Sequence, residues 1–88
     1  MGLSKRFKMK VEKLFDQVDI HGRANLLWDH GELITTIDYY NQKVRLYLVG
    51  KFYAELYYNP HSNKIVRIEK CSTLSLNKFL KTINISPK

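Results

Sequence analysis

From Leu33 to Lys70 apolar and polar side chains alternate, the period of strands with two unlike faces. Four runs carry the pattern: Leu33–Tyr40, Lys43–Val49, Phe52–Tyr58 and Lys64–Lys70, rich in Ile, Val, Leu, Tyr and Phe. Asn41-Gln42, Gly50-Lys51 and Asn59-Pro60-His61-Ser62-Asn63 interrupt them as turn signals. The order predicts an antiparallel meander, in which loop length decides which residues meet. A turn at Asn41-Gln42 pairs Ile37 with Leu46, Tyr39 with Val44 and Asp38 with Arg45. At the next hairpin a strict Gly50-Lys51 turn sets Glu55 opposite Leu46 and mixes charge into both faces. An odd loop, Val49-Gly50-Lys51, pairs Leu46 with Ala54, Val44 with Leu56 and Arg45 with Glu55, and is the register expected. A loop from Asn59 to Asn63 then aligns Ala54 with Ile68, Leu56 with Val66 and Glu55 with Arg67. One face reads Ile37–Leu46–Ala54–Ile68 and the other Asp38–Arg45–Glu55–Arg67. Paired charges of this kind fix register more than they add stability.

Helical periodicity flanks the strands. Leu76, Phe79, Leu80 and Ile83 follow i, i+3, i+4, i+7, with Ser75 or Thr73 as N-cap and Lys78 and Lys81 on the opposite side. Leu3, Phe7, Val11, Leu14, Phe15 and Val18 form an N-terminal stripe at helical spacing. Phe7, Met9 and Val11 also alternate with lysines, which is a strand signal, but the helical pattern runs longer. Asn25 to Trp28 reads as a short second helix stopped by Gly31, with an extra strand turning at Asp29-His30-Gly31 as the alternative. Gly22 is the expected break between the N-terminal pieces, and Trp28 is expected to anchor its helix in the core. The architecture expected is a single α+β domain over residues 1–88: a four-stranded antiparallel meander with N- and C-terminal helices covering one face.

Composition narrows the class. A chain of 88 residues buries only about 60% of its unfolded surface, so dimerisation would help it. No apolar stretch is long enough to span a bilayer, and the basic N-terminus lacks a signal-peptide core. The single cysteine, Cys71, makes no internal disulfide, and a cytoplasmic location is expected. Cys71 itself reads as a small buried filler or a helix-boundary residue.

The net charge of +7 is unevenly placed. Lys5, Arg6, Lys8, Lys10 and Lys13 open the chain, and Lys78 and Lys81 lie near its end. Asp16, Asp19, Asp29, Glu32 and Asp38 make the stretch between acidic. With both terminal helices on one sheet face, their lysines would form one basic side able to follow phosphates. Lysine outnumbers arginine 11 to 4, a balance that favours solubility over bidentate phosphate recognition.

The tyrosines carry the other candidate surface. All six lie between Tyr39 and Tyr58. The register above puts Arg45, Tyr47, Tyr53, Glu55, Tyr57 and Arg67 on the uncovered face. Tyr and Arg suit a protein interface, and Asp38 and Glu55 leave little net attraction for a phosphate backbone. His21, His30 and His61 have no metal-ligand spacing, and no nucleophile motif or phosphate loop is present. Catalytic, cofactor and metal sites are therefore not expected. The expectation is a non-catalytic interaction module with an unidentified protein partner or a second copy of itself. Weak nonspecific RNA or DNA binding through the basic helices is the alternative, and no membrane partner is expected.

Leu27-Trp28-x-x-Gly31, Val44-x-Leu46-Tyr47-x-x-Gly50-x-Phe52-Tyr53-x-Glu55-Leu56-Tyr57-Tyr58-Asn59 and Asn63-Lys64-Ile65-x-x-Ile68 resemble small uncharacterised bacterial proteins. The resemblance covers about the middle half of the chain. It implies a bacterial cytoplasmic origin and brings no activity, cofactor or site residue with it.

Overall fold

A computed structural model describes the backbone of residues 10–83 and the side chains of residues 10–80. The described elements run α1 (Val11–Gln17), α2 (Ile20–His30), β1 (Gly31–Tyr39), β2 (Gln42–Val49), β3 (Phe52–Asn59), β4 (Lys64–Lys70) and α3 (Thr73–Ile83). The strands form one antiparallel sheet in the order β1-β2-β3-β4. The α+β meander with helices at both ends is thus as the sequence pattern predicts. Leu3, Phe7 and Met9 lie outside the described residues.

The first hairpin turns at Tyr40-Asn41, with Ile37 opposite Val44 and Asp38 opposite Lys43. That is one turn position earlier than expected, so partners slip along the strand while residues 35–39 keep their faces; the irregularity between Leu33 and Thr35 moves Glu32 and Leu33 to the opposite faces. Tyr40 takes the left-handed conformation at φ 58°. At the third hairpin Asn59 Oδ1 accepts the backbone N–H groups of His61 and Ser62, and Asn59 pairs with Lys64. Leu56 faces Ile68 rather than Val66, and an irregularity between Tyr57 and Tyr58 absorbs the difference.

The second hairpin overturns the expected register. Val49 pairs with Phe52 across a strict Gly50-Lys51 turn, with Gly50 at φ 63°, so Leu46 faces Glu55 and Arg45 faces Leu56. Glycine with positive φ at the first central position is what a tight hairpin asks for. One residue of slip moves the side chains of β3, and of β4 from Arg67 to Lys70, to the other face relative to β2, and the irregularity in β4 returns Lys64 and Ile65 to the faces expected. Val44 and Leu46 now share a face with Glu55 and Tyr57, while Tyr47 and Val49 share theirs with Ala54, Leu56 and Ile68.

Both faces are therefore apolar, and each takes its own cover. Phe15 of α1 and Leu26 and Leu27 of α2 pack on Tyr47, Val49, Ala54, Leu56 and Ile68. Phe79 of α3, with Leu76 beside it, packs on Ile37, Val44, Leu46 and Tyr57. The helices do not cover one face: they sandwich the sheet in three layers.

The helix ends also differ from expectation. The break between α1 and α2 falls at Val18-Asp19, not Gly22. Asp19 caps α2 by accepting the Gly22 N–H at 3.0 Å. Gly22 lies inside α2 because a Cβ there would come within 2.6 Å of Val18 Cβ. Gly31 closes α2, donating its N–H to Leu27 O from an extended backbone. Ser72, rather than Thr73 or Ser75, caps α3, its hydroxyl accepting the Ser75 N–H at 3.1 Å. Among the described residues no helix is long and apolar enough to cross a membrane.

Candidate interaction edge

The sheet has two outer strands, β1 and β4, each with an unpaired row of backbone groups. They are treated differently. Arg23 of α2 donates from Nη1 to Ile68 O at 2.7 Å and from Nε to Phe15 O at 3.0 Å. It therefore occupies an outward carbonyl of β4 and ties the helix pair to that edge. Lys70 bonds Asp16 at 2.9 Å and Glu12 at 3.1 Å, and Arg67 pairs with Glu69 at 3.2 Å. An open cleft of about 450 Å³ lies beside β4, bounded by Val18, Ile20, Arg23, Arg67 and Glu69.

The β1 edge has no such protection. Among the described residues no side chain bonds its outer backbone. A bulge at Ile34 divides it into Gly31–Leu33 and the regular run 35–39. Leu33 is 50% exposed and Ile34 43% exposed. Trp28, in the last turn of α2, is 53% exposed, so it is not the core anchor expected. Its ring lies 6.1 Å from that of Tyr47, the residue paired with Leu33. Trp28 and Leu33 thus flank Tyr47 on one face, with Ile34 next along the strand. The only formal charges between Arg23 and Lys43 are Asp29, Glu32 and Asp38. Of these, Asp38 is bridged to Lys43 at 2.6 Å. A basic protein carries an acidic, apolar edge.

The six residues expected to share an open face are not brought together. Tyr53, Glu55, Tyr57 and Arg67 lie on the α3 side, and Arg45 and Tyr47 on the α1–α2 side. Glu55, Tyr57 and Tyr47 are buried, and Tyr53 is at the margin of exposure. Arg45 meets neither Asp38 nor Glu55. Its guanidinium stands 5.0 Å from the Tyr58 ring, and Arg67 stands 4.1 Å from Tyr57. Nor do the lysines share a side. Lys10 and Lys13 are exposed at α1, whereas α3 lies across the sheet from it. Lys5, Arg6 and Lys8 lie outside the described residues, as does the Lys81 side chain. Lys78 points inward, its Nζ 2.6 Å from Glu55 Oε1.

Glu55 and Lys78 are what sequence reasoning missed. The Tyr57 hydroxyl donates to Glu55 Oε1 at 2.8 Å, and Lys78 also donates to Ser75 O at 3.3 Å. Burial opposes the charge on Lys78, but its bonds to Glu55 and Tyr57 outweigh it and the pKa is raised. Burial, then the bond to Glu55, raises that of Tyr57. Burial and the nearby Glu55 charge push the Cys71 thiol up to about 12. All three move away from neutrality, so none is poised for proton transfer near pH 7. The signal for this cluster was the Gly50-Lys51 turn itself, together with a lysine on the helix that follows. His21 and His30 on α2 and His61 in the last hairpin loop are exposed. Among the described residues no three His, Cys, Asp or Glu side chains converge as metal ligands would. No protein-family model, curated protein or solved structure matches the chain, so the edge is interpreted from its own chemistry.

Proposed function

We propose that this protein is a non-catalytic binding module that accepts an extended segment of a protein partner along the free edge of β1. The observation that carries the reading is the asymmetry of the two edges: β4 is plugged by Arg23, and β1 is open beside exposed Trp28, Leu33 and Ile34. Strand addition supplies affinity through main-chain bonds and selectivity through side-chain contacts. Covering the exposed parts of three large apolar side chains contributes on the order of 3 kcal/mol, which suits a modest interaction. Asp29 and Glu32 favour a basic segment over an acidic one.

Trp28 is the single tryptophan, so its emission reports on the edge alone. Titration with synthetic peptides alternating Val with Lys is expected to shift that emission to the blue. Peptides alternating Val with Glu are expected to leave it unchanged. The Leu33→Lys/Ile34→Lys variant, with both substitutions at exposed positions, should fold normally and bind at least tenfold more weakly. The reading is lost if neither peptide shifts the emission of a monomeric sample, or if the variant binds as the parent does.

A further inference from the structure

The edge has a fitting occupant within the chain. We infer that the segment Leu3–Met9 of a second copy adds to β1 as a fifth strand, and that two chains exchange these segments reciprocally. The inference rests on the edge-binding reading above and names its partner. Three observations support it.

The first is pattern. Phe7 and Met9 alternate with Arg6, Lys8 and Lys10, so an extended segment puts Leu3, Phe7 and Met9 on one face, with Lys5 among them, and Arg6 and Lys8 on the other. On β1, Leu33 lies on the face of Tyr47 and Trp28, and Glu32 lies on the other. An added strand with Phe7 and Met9 against Leu33 and Trp28 would therefore place Arg6 and Lys8 on the side of Glu32. Apolar meets apolar and base meets acid in a single register.

The second is charge. The chain carries +7 overall, yet residues 24–42 hold three acids and no lysine or arginine. Two β1 edges would repel one another, and the β4 edge is basic and occupied at Ile68. The basic run Lys5, Arg6, Lys8 lies outside the described residues and fits the acidic edge.

The third is reach. Seven extended residues span about 23 Å, enough to cover most of a strand the length of β1. Within one chain the geometry is unfavourable. Glu12 and Asp16 of α1 bind Lys70 of β4, and β1 lies three strand spacings, about 14 Å, away. Most of the segment would be spent crossing α2, which packs over β4, β2 and β1. Exchange about a two-fold axis needs no crossing of the segment's own α2 and closes with two identical contacts.

The test is light scattering of the full chain over a concentration series, with two variants. The parent is expected to reach the mass of a dimer. Lys5→Glu/Arg6→Glu/Lys8→Glu and Leu33→Lys/Ile34→Lys should each remain monomeric at the same concentrations. An equimolar mixture of the two variants should regain association, because one intact segment then meets one intact edge. A monomeric parent that still binds the Val-Lys peptide would overturn exchange and leave the edge reading standing. So would an unchanged dimer in the charge-reversed variant. A monomeric parent whose Trp28 emission moves to the red on charge reversal would place the segment on its own edge, which also overturns it.

Discussion

A carboxylate with 1% of its surface exposed, Glu55, is held by two donors, the Lys78 ammonium and the Tyr57 hydroxyl. Taking both charges out of water costs several kcal/mol each, so their attraction offsets a penalty rather than adding a surplus. The pair works as a gauge of register: a one-residue slip would move Glu55 to the other face and leave Lys78 without it. Lys78→Met is expected to destabilise the fold by about 3–5 kcal/mol, because it strands a buried charge. Glu55→Gln/Lys78→Met should recover a large part of that loss, since the neutral amide's carbonyl oxygen still accepts from Tyr57. Urea unfolding of the three proteins checks this. Equal midpoints for the single and double variants would mean that charge burial is not what the lysine compensates. Arg45 shows the complementary accommodation: a charged side chain whose Nε is buried without a partner turns its guanidinium over Tyr58.

At the scale of elements, α2 joins the layers. It starts at the capped Asp19, plugs β4 through Arg23, crosses the sheet and hands directly into β1 at Gly31. Helix propensity by itself expects Gly22→Ala to gain about 1 kcal/mol. The added methyl would instead meet a branched side chain, Val18, at the elbow between α1 and α2. We expect the substitution to lower the thermal midpoint, and an equal or higher midpoint would show that the elbow is loose. The strands were legible from periodicity, because period two is local, whereas residues 24–31 stayed open between helix and strand and the helix begins at Ile20 rather than Asn25. The elbow was not legible. Glycine reads as a break from sequence, yet here it marks a close approach that only the packed helix pair creates.

At the scale of the molecule, the clustered groups around α3 set a response to alkali. Cys71 is raised from its ordinary 9.0 to about 12, so the folded chain keeps a proton that the unfolded chain has released. Its contribution to stability is complete below pH 9.0 and is lost progressively as pH rises toward about 12. Lys78 and Tyr57, ordinarily 10.5 and 10.0, are also shifted upward and act in the same direction. The urea midpoint is therefore expected to decline from pH 9 upward, with Cys71→Ala flattening the first part of the fall. A midpoint level to pH 11, or identical profiles for the two proteins, would contradict it.

By itself the sequence determined four strands, their order, the helices at either end, and which residues share a face in the regular strands β2 and β3. These follow from backbone periodicity and turn chemistry over a few residues. The relation between the halves of the sheet was decided by tertiary structure, because it hangs on one loop whose two lengths differ by a single residue. Hydrophobic matching favoured gathering Leu46 and Ala54 on one face. The fold instead gave each face its own helical cover and met the buried Glu55 with a lysine from 23 residues away. The tyrosine face disappeared with that choice, and the open edge at β1 emerged from which strand Arg23 could reach.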